Sequence, residues 1–388
     1  MRKILYAVFL FGCCASLLSG CIKEKYTVPS EKGDALVQLN IGTRAVEETD
    51  GIPTNNETVL HSLRVYAFVD GQPAGHFYTK DGLDVNNPSF LMHLTMYSTM
   101  TQKVDFYVVA NEAAMETPGS SVLLTENTTE TQLNHFTFTK LNTSKGLPMF
   151  CKQTETIDLT QLSDKTPADP GHAGHTLLRQ DLTFELKRPI GKLGVFAAKP
   201  VGENSSLRVT GLTVLASGTR TRNYLMPQTD ETLKAITGIT GDISLEVVEE
   251  EVTKTLAENA SQTDKENPAN YTPVLNESFY LFENPWGSTS WDVKGDNDGN
   301  VLRVDYEFDG NARSGFVYMP PIERNKYYTV CCLMHNDGKI TVEYKVADWN
   351  KENYNITFDY PSYDNPITPA DGSSVPEDGQ YSQPTIWY

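Results

Sequence analysis

Apolar and polar residues alternate with a period of two along most of this chain, and helical spacing is nearly absent. Leu63, Val65, Ala67 and Val69 alternate with Arg64, Tyr66 and Phe68. Val104, Phe106, Val108 and Ala110 alternate with Asp105, Tyr107 and Val109. Leu182, Phe184 and Leu186 keep the same rhythm, as do Ile243, Leu245 and Val247, then Leu302 to Phe308, then Ile340 to Val346. Successive side chains of a strand point to opposite faces. Each run therefore predicts a strand with one face on a core and one able to meet water, as in antiparallel sheets covered on one side. Turn-rich stretches such as "KDGLDVNNPS" and "KGDNDGN" separate the runs, and "HNDGK" between two of them predicts a hairpin. The polar segment from Glu249 to Thr272 predicts a long loop or a short helix, and no long amphipathic helix is expected. The expected fold class is all-β, built as β-sandwiches. A loop-like "DKTPADPGHAGH" and a new strand pair in "LKRPIGKLGVFAAK" place a domain boundary near residue 186, and 388 residues suit two domains.

Two segments stand apart from these runs. Ala35, Val37, Leu39 and Ile41 make an alternating strand that ends just before Arg44, the only arginine between Cys21 and Arg64. After Trp349, Tyr354, Ile356, Phe358 and Tyr360 alternate with polar residues, and the chain then crosses "PITPADGSSVPEDG" to end in "YSQPTIWY". Proline and glycine predict an extended tail, and the apolar residues Tyr381, Ile386, Trp387 and Tyr388 imply a partner surface for it.

The N-terminus reads as an export signal. Arg2 and Lys3 precede an apolar run of 15 residues from Ile4 to Leu18, shorter than the roughly 20 that cross a bilayer. Leu18-Ser19-Gly20-Cys21 fits a lipoprotein cleavage and lipidation site, with Cys21 as the acylated residue. No later stretch is apolar enough to span a membrane, so attachment is expected through lipid.

Composition narrows the chemistry. The net charge of −18 argues against nucleic acid and anionic membrane surfaces as partners. Beyond Cys21 only Cys151, Cys331 and Cys332 remain, an odd number that cannot form a full disulfide framework. Cys331 and Cys332 are adjacent and read as two small strand residues, one of them buried. Whether either pairs with Cys151 is left open. His172 and His175 lie in "GHAGH", whose glycines and nearby proline make a loop and not a helical metal site. The sequence carries no GxSxG, P-loop or zinc ribbon and marks no particular carboxylate pair, so neither an enzyme nor a cofactor is expected. A surface glycan-binding lipoprotein is the alternative class, with Trp286, Trp291 and Trp387 as its stacking candidates. The simpler placement packs Trp286 and Trp291 as loop residues on a sandwich and leaves Trp387 in the tail.

Several motifs occur in a particular order: the site ending at Cys21, "TRAVEE", "LRVYAFVDG", "KVDFYVVANE", "GLPMFCK", "LKRPIGKLGV", "PIERNKYYTVCCLM" and "VEYKVADWN". In that order the chain resembles the fimbrillins of Bacteroidales, the type V pilins. The resemblance implies two transthyretin-like β-sandwich domains in tandem, with an exchangeable N-terminal strand and an extended C-terminal tail. On this pattern 1–20 is a lipoprotein signal peptide, 21–44 a propeptide with the displaceable strand, 45–185 and 186–352 the two sandwiches, and 353–388 the donor-strand tail. An arginine-specific maturation protease would cut between Arg44 and Ala45. The tail of another subunit would then fill the vacated slot, with Tyr354, Ile356, Phe358, Ile386 and Trp387 as inward anchors. The implied partners are other pilin subunits, fimbrial anchor and tip subunits, and a host or bacterial surface receptor. The implied place is a cell-surface fimbrium whose precursor is lipid-anchored in the outer membrane. An arginine at the cleavage position and no extra domain point to a shaft subunit, with tip and anchor roles as alternatives. About forty residues follow Trp349, more than in the shortest family members, which leaves the donor register open.

Overall fold

The chain is described by a computed structural model over residues 33–43, 57, 59–80, 89–96, 101–117, 124–158, 177–236, 238–286, 299–349 and 353–356. It is mostly β-strand. The first part holds β1 (Gly33–Thr43), β2 (Leu63–Val69), β3 (Gln72–Thr79), β4 (Ser89–Met96), β5 (Thr101–Ala110), β6 (Met115–Glu116), β7 (Thr137–Phe138), β8 (Lys140–Leu141), β9 (Met149–Asp158) and β10 (Leu177–Leu186). The second part opens with β11 (Gly191–Pro200), β12 (Leu207–Val214), β13 (Asn223–Tyr224), β14 (Ile243–Leu245), β15 (Thr255–Leu256), β16 (Thr272–Pro273) and β17 (Phe279–Leu281). It ends with β18 (Asn300–Phe308), β19 (Asn311–Met319), β20 (Lys326–Met334), β21 (Ile340–Asp348) and β22 (Asn353–Ile356). Among the described residues three short α-helices, α1 (Glu130–Asn134), α2 (Asp230–Lys234) and α3 (Gln262–Lys265), each start on a Thr or Ser whose hydroxyl accepts a first-turn N–H.

In the first part a sheet of order β3-β2-β5-β9 faces a sheet of order β10-β1-β4. Between them Val65, Ala67, Phe106 and Val108 meet Met92, Leu94, Leu182, Phe184 and Leu186. In the second part a sheet of order β14-β12-β18-β19 packs against one of order β15-β11-β20-β21-β22, in which β16 and β17 also pair with β11. Its core includes Leu193, Val195, Leu212, Val304, Tyr306, Val330 and Cys332. The first core reaches Leu186 and the second begins at Leu193. A two-stranded ladder, β7 with β13, joins the two parts. The predicted hairpin forms at "HNDGK", where the His335 N–H reaches the Lys339 carbonyl at 2.8 Å and Gly338 takes a φ of 96°. The polar segment from Glu249 to Thr272 carries the short α3, one of the two forms expected for it. No helix among the described residues is long and apolar enough to cross a membrane.

Two expectations about exposure fail. Much of the outer face of β2 and the last half of β5 does not meet water: Tyr66, Phe68, Tyr107 and Val109 are buried under Leu124, Leu133, Leu225 and Met226, while Thr101 and Lys103 at the start of β5 stay exposed. The rings of Tyr66, Phe68 and Tyr107 and the side chain of Val109 are large and apolar, so this part of the outer face needs a cover as the core face does. The polar tips find partners there. The Tyr66 hydroxyl donates to the Thr125 carbonyl at 2.7 Å and Tyr107 to Glu130 Oε1 at 2.7 Å. Arg64 grips Glu112 with two hydrogen bonds, at 2.6 and 2.8 Å. Likewise both Cys331 and Cys332 are buried, because β20 lies inside its sheet with a hydrophobic cluster on each face. Cys151, Cys331 and Cys332 are free thiols, so the open pairing question closes without a disulfide.

Candidate functional site

The placement of the first strand is the unusual feature. β1 runs down the middle of its sheet, parallel to β10 on one side and antiparallel to β4 on the other. Against β4 the ladder is unbroken from Gly33↔Met96 to Asn40↔Ser89. Against β10 it runs from Gln38↔Asp181 to Thr43↔Leu186, with an irregularity before Gln38. Among the described residues β4 and β10 pair with no strand other than β1. Taking β1 away would leave two facing edges of unpaired N–H and C=O groups, separated by about 10 Å, two inter-strand spacings. The strands bordering the slot carry Met92, Leu94, Leu182, Phe184 and Leu186, all buried with β1 in place. Such a slot accepts one extended strand, through main-chain hydrogen bonds and alternating side chains.

Of the residues singled out in the sequence, Cys21, Arg44, Ala45, Phe358, Ile386 and Trp387 lie outside the described residues, as do His172, His175 and Trp291. Tyr354 and Ile356 lie in β22, which pairs antiparallel with β21 through Val346↔Tyr354 and Tyr344↔Ile356. They sit at the edge of the large sheet, away from the β1 slot in the fold's topology. Trp286 is half-buried, with the Lys234 ammonium 5.0 Å from its ring centre.

The structure brings three of the sequence motifs together at a buried junction between the two parts. "LKRPIGKLGV" supplies Arg188 and Lys192, "PIERNKYY" supplies Asn325, and "VADWN" supplies Trp349. Asn325 takes a left-handed φ of 57°, a conformation Asn tolerates better than most side chains. There its N–H reaches the Ile190 carbonyl at 2.8 Å, its carbonyl accepts from Trp349 N–H at 2.9 Å, and its Oδ1 accepts from Arg188 N–H at 3.0 Å. Gly191 lets these segments close up, since a Cβ there would lie 3.0 Å from Ile322 and 3.2 Å from the Glu323 carbonyl. The Arg188 guanidinium lies 4.2 Å from the Trp349 ring centre, and Trp349 stacks on Tyr280.

Glu57 completes this junction, and no motif points to it. Its carboxylate lies 3.2 Å from Lys192 Nζ, accepts from the Tyr280 hydroxyl at 2.7 Å and from Trp349 Nε1 at 3.2 Å. Its carbonyl accepts from Arg188 at 2.9 Å. Glu57 and Lys192 are almost wholly buried, a placement that requires pairing. Nothing in "NNETVL" marks this acid, because its partners follow more than a hundred residues later. A second contact sits nearby: Arg324 pairs with Glu283, donates to the Leu225 carbonyl at 3.1 Å, and lies over the Phe150 ring. The three thiols are held in their neutral form by burial, which pushes Cys151 up to about 11 and Cys332 to about 12 and raises Cys331 as well. Among the described residues no cluster of His, Cys, Asp and Glu could hold a metal ion.

No family model matches the chain, and no curated protein does. Solved structures similar to it include fimbrial proteins and proteins described as cell adhesion proteins. The tip fimbrial protein Mfa3 of Porphyromonas gingivalis, truncated at its C-terminus, aligns over 82% of this chain and 100% of its own, at 15% identity and a TM-score of 0.48. A fimbrial assembly protein from Parabacteroides distasonis aligns over 84% and 100%, at 14% identity and 0.45. A fimbrilin from Porphyromonas gingivalis aligns over 78% and 90%, at 11% identity and 0.44.

Proposed function

We propose that this chain is a structural subunit of a cell-surface fimbria, of the shaft type. In this reading the precursor is exported with a lipid on Cys21 and anchored in the outer membrane. An arginine-specific protease cuts it between Arg44 and Ala45, and copies join when the C-terminal tail of one takes the place of β1 in the next. The observation that carries the reading is the position of β1: it is the sole described strand partner of both β4 and β10, and it ends at Thr43, one residue before Arg44. A strand so placed can be severed at its end without cutting either sheet partner. Head-to-tail filling of the slot builds an open filament and not a closed ring.

The two sandwich domains, 45–185 and 186–352, belong to the same reading, as does the donor tail 353–388. Burying the five anchors Tyr354, Ile356, Phe358, Ile386 and Trp387 would give on the order of 10 kcal/mol gross before ordering costs. The pairing of Tyr354 and Ile356 with β21 makes the tail beyond Ile356 the part to test first. The test treats the unlipidated precursor with an arginine-specific protease and follows size and N-terminal mass. Expected are a new N-terminus at Ala45 and laddered, heat-resistant oligomers that vanish when residues 375–388 are deleted. Resistance at Arg44 with a stable monomer would overturn the reading.

A further inference from the structure

β1 is seated unevenly in its slot, and the unevenness lies on one side. Between Leu36 and Gln38, β1 advances two residues while β10 advances four, from Leu177 to Asp181. Val37 therefore stands opposite Leu178, Arg179 and Gln180, none of which is matched to a residue of β1. On the other side the same stretch is regular: Leu36↔His93, Val37↔Met92 and Gln38↔Leu91. The surplus thus belongs to β10. It is an even number of residues, and that matters. An odd surplus would turn every later β10 side chain to the opposite face. An even one keeps Leu182, Phe184 and Leu186 in the core. The bulge gives up main-chain pairing with β1 and leaves the packing beneath it intact.

A strand already in a slot is replaced most easily where the slot offers unpaired main chain, because an entering strand can then form its first hydrogen bonds before any old ones break. Along the described span of β10 that faces β1, only Leu178–Gln180 lacks a register partner in β1, and the surplus residues of a bulge fall outside the ladder. From Asp181 to Leu186 every β10 residue is matched. We propose that Leu178–Gln180 is the entry point of strand exchange, where an extended strand of a second copy of this chain first pairs before β1 leaves. This rests on the fimbrial reading above and adds to it where exchange begins. It also implies that cutting at Arg44 does not by itself eject β1, which stays paired on both sides until a second copy arrives.

The test uses the full-length unlipidated precursor cut with an arginine-specific protease. β1 retention is followed by mass and assembly by size. Two variants separate the entry point from the general hold on β1. Gln180→Pro removes a main-chain donor from the unmatched stretch and leaves every matched pair in place. Deleting Arg179 and Gln180 restores a one-to-one register. Retention of β1 is measured in chains that also lack 375–388, so that no donor competes. The expected result for Gln180→Pro is unchanged β1 retention with assembly at least tenfold slower. The deletion is expected to slow assembly at least as much and to lengthen retention. Assembly of either variant at the parent rate overturns the proposal, as does a Gln180→Pro chain that sheds β1 without a donor. If Gln180→Pro does not fold, the deletion alone decides by the same criterion. A parent chain that is cut cleanly yet never assembles overturns the fimbrial reading and the entry point with it. A parent that assembles beside equally fast variants overturns the entry point alone.

Discussion

The buried pair of Glu57 and Lys192 sets the sharpest test at the scale of single residues. Both side chains are out of water, and the carboxylate has three side-chain partners while the ammonium also lies 4.8 Å from the Tyr327 ring centre. Removing one member of such a pair leaves the other charge buried without its counterion, which costs about 3–5 kcal/mol. Lys192→Met is expected to lower the unfolding free energy by that amount in guanidinium titrations. The double variant Glu57→Gln with Lys192→Met should lose less than the sum of the single losses, by about 0.5–3 kcal/mol. Additive losses would mean that the two charges do not stabilise each other. The thiols give a test of a different kind. Only the thiolate reacts with alkylating agents, and at pH 8 a thiol titrating near 11 is about one part in a thousand thiolate. Native Cys151 should therefore label slowly at pH 8, with a rate that rises about tenfold per pH unit up to pH 10. Cys331 and Cys332 should label only after unfolding. Rapid labelling of any of the three in native protein at pH 8, read by mass, would contradict the burial described here.

At the scale of elements the central strand is the point of interest. Asn40 is matched on both sides, to Thr183 of β10 and to Ser89 of β4. A proline there loses the N–H and is confined by nature to sheet edges, so Asn40→Pro should weaken the hold on β1 by about 3 kcal/mol. After cleavage the β1 fragment should then leave the tail-deleted chain at least tenfold faster than from the parent, in size and mass measurements. Retention at the parental rate would mean that β1 is not held by its two ladders. This strand was legible in the sequence, because Ala35, Val37, Leu39 and Ile41 alternate as a strand should. The runs that became β2, β5, β10, β14, β18 and β21 were legible for the same reason. What alternation could not supply was the cover over each outer face. Alternation alone put Tyr66 and Tyr107 on the face able to meet water, but their rings demand burial, and the chain that buries them comes partly from Leu225 and Met226. Glu57 was illegible for a related reason. A buried acid is recognisable only beside its base, and the base sits at the other part's first strand. The slot was only half legible: a strand before an arginine could be read, whereas its insertion between β4 and β10 is a matter of tertiary pairing.

For the whole molecule, net charge sets the long-range force between copies. The chain carries −18, and residues 1–44 contribute six basic and three acidic residues. Cleavage after Arg44, with loss of that segment, would leave a subunit at −21. Copies of one strongly acidic body repel each other at long range, and the repulsion reaches about 30 Å at 0.01 M salt but about 10 Å at 0.1 M. Within the fimbrial reading, the encounter between tail and slot should therefore be slow at low salt and faster once the charges are screened. Raising sodium chloride from 0.02 to 0.3 M should speed assembly of the cleaved chain about tenfold, the lower end of electrostatic effects on association rates. The assembled form should respond differently. It would be held by main-chain hydrogen bonds and buried apolar side chains, which salt of this concentration does not screen. Oligomers formed at 0.3 M should therefore persist on dilution to 0.02 M, with no change in size over hours. Assembly that slows as salt rises would point instead to complementary charged patches as the means of contact. Oligomers that dissolve at low salt would show that the joint is too weak to be an exchanged strand.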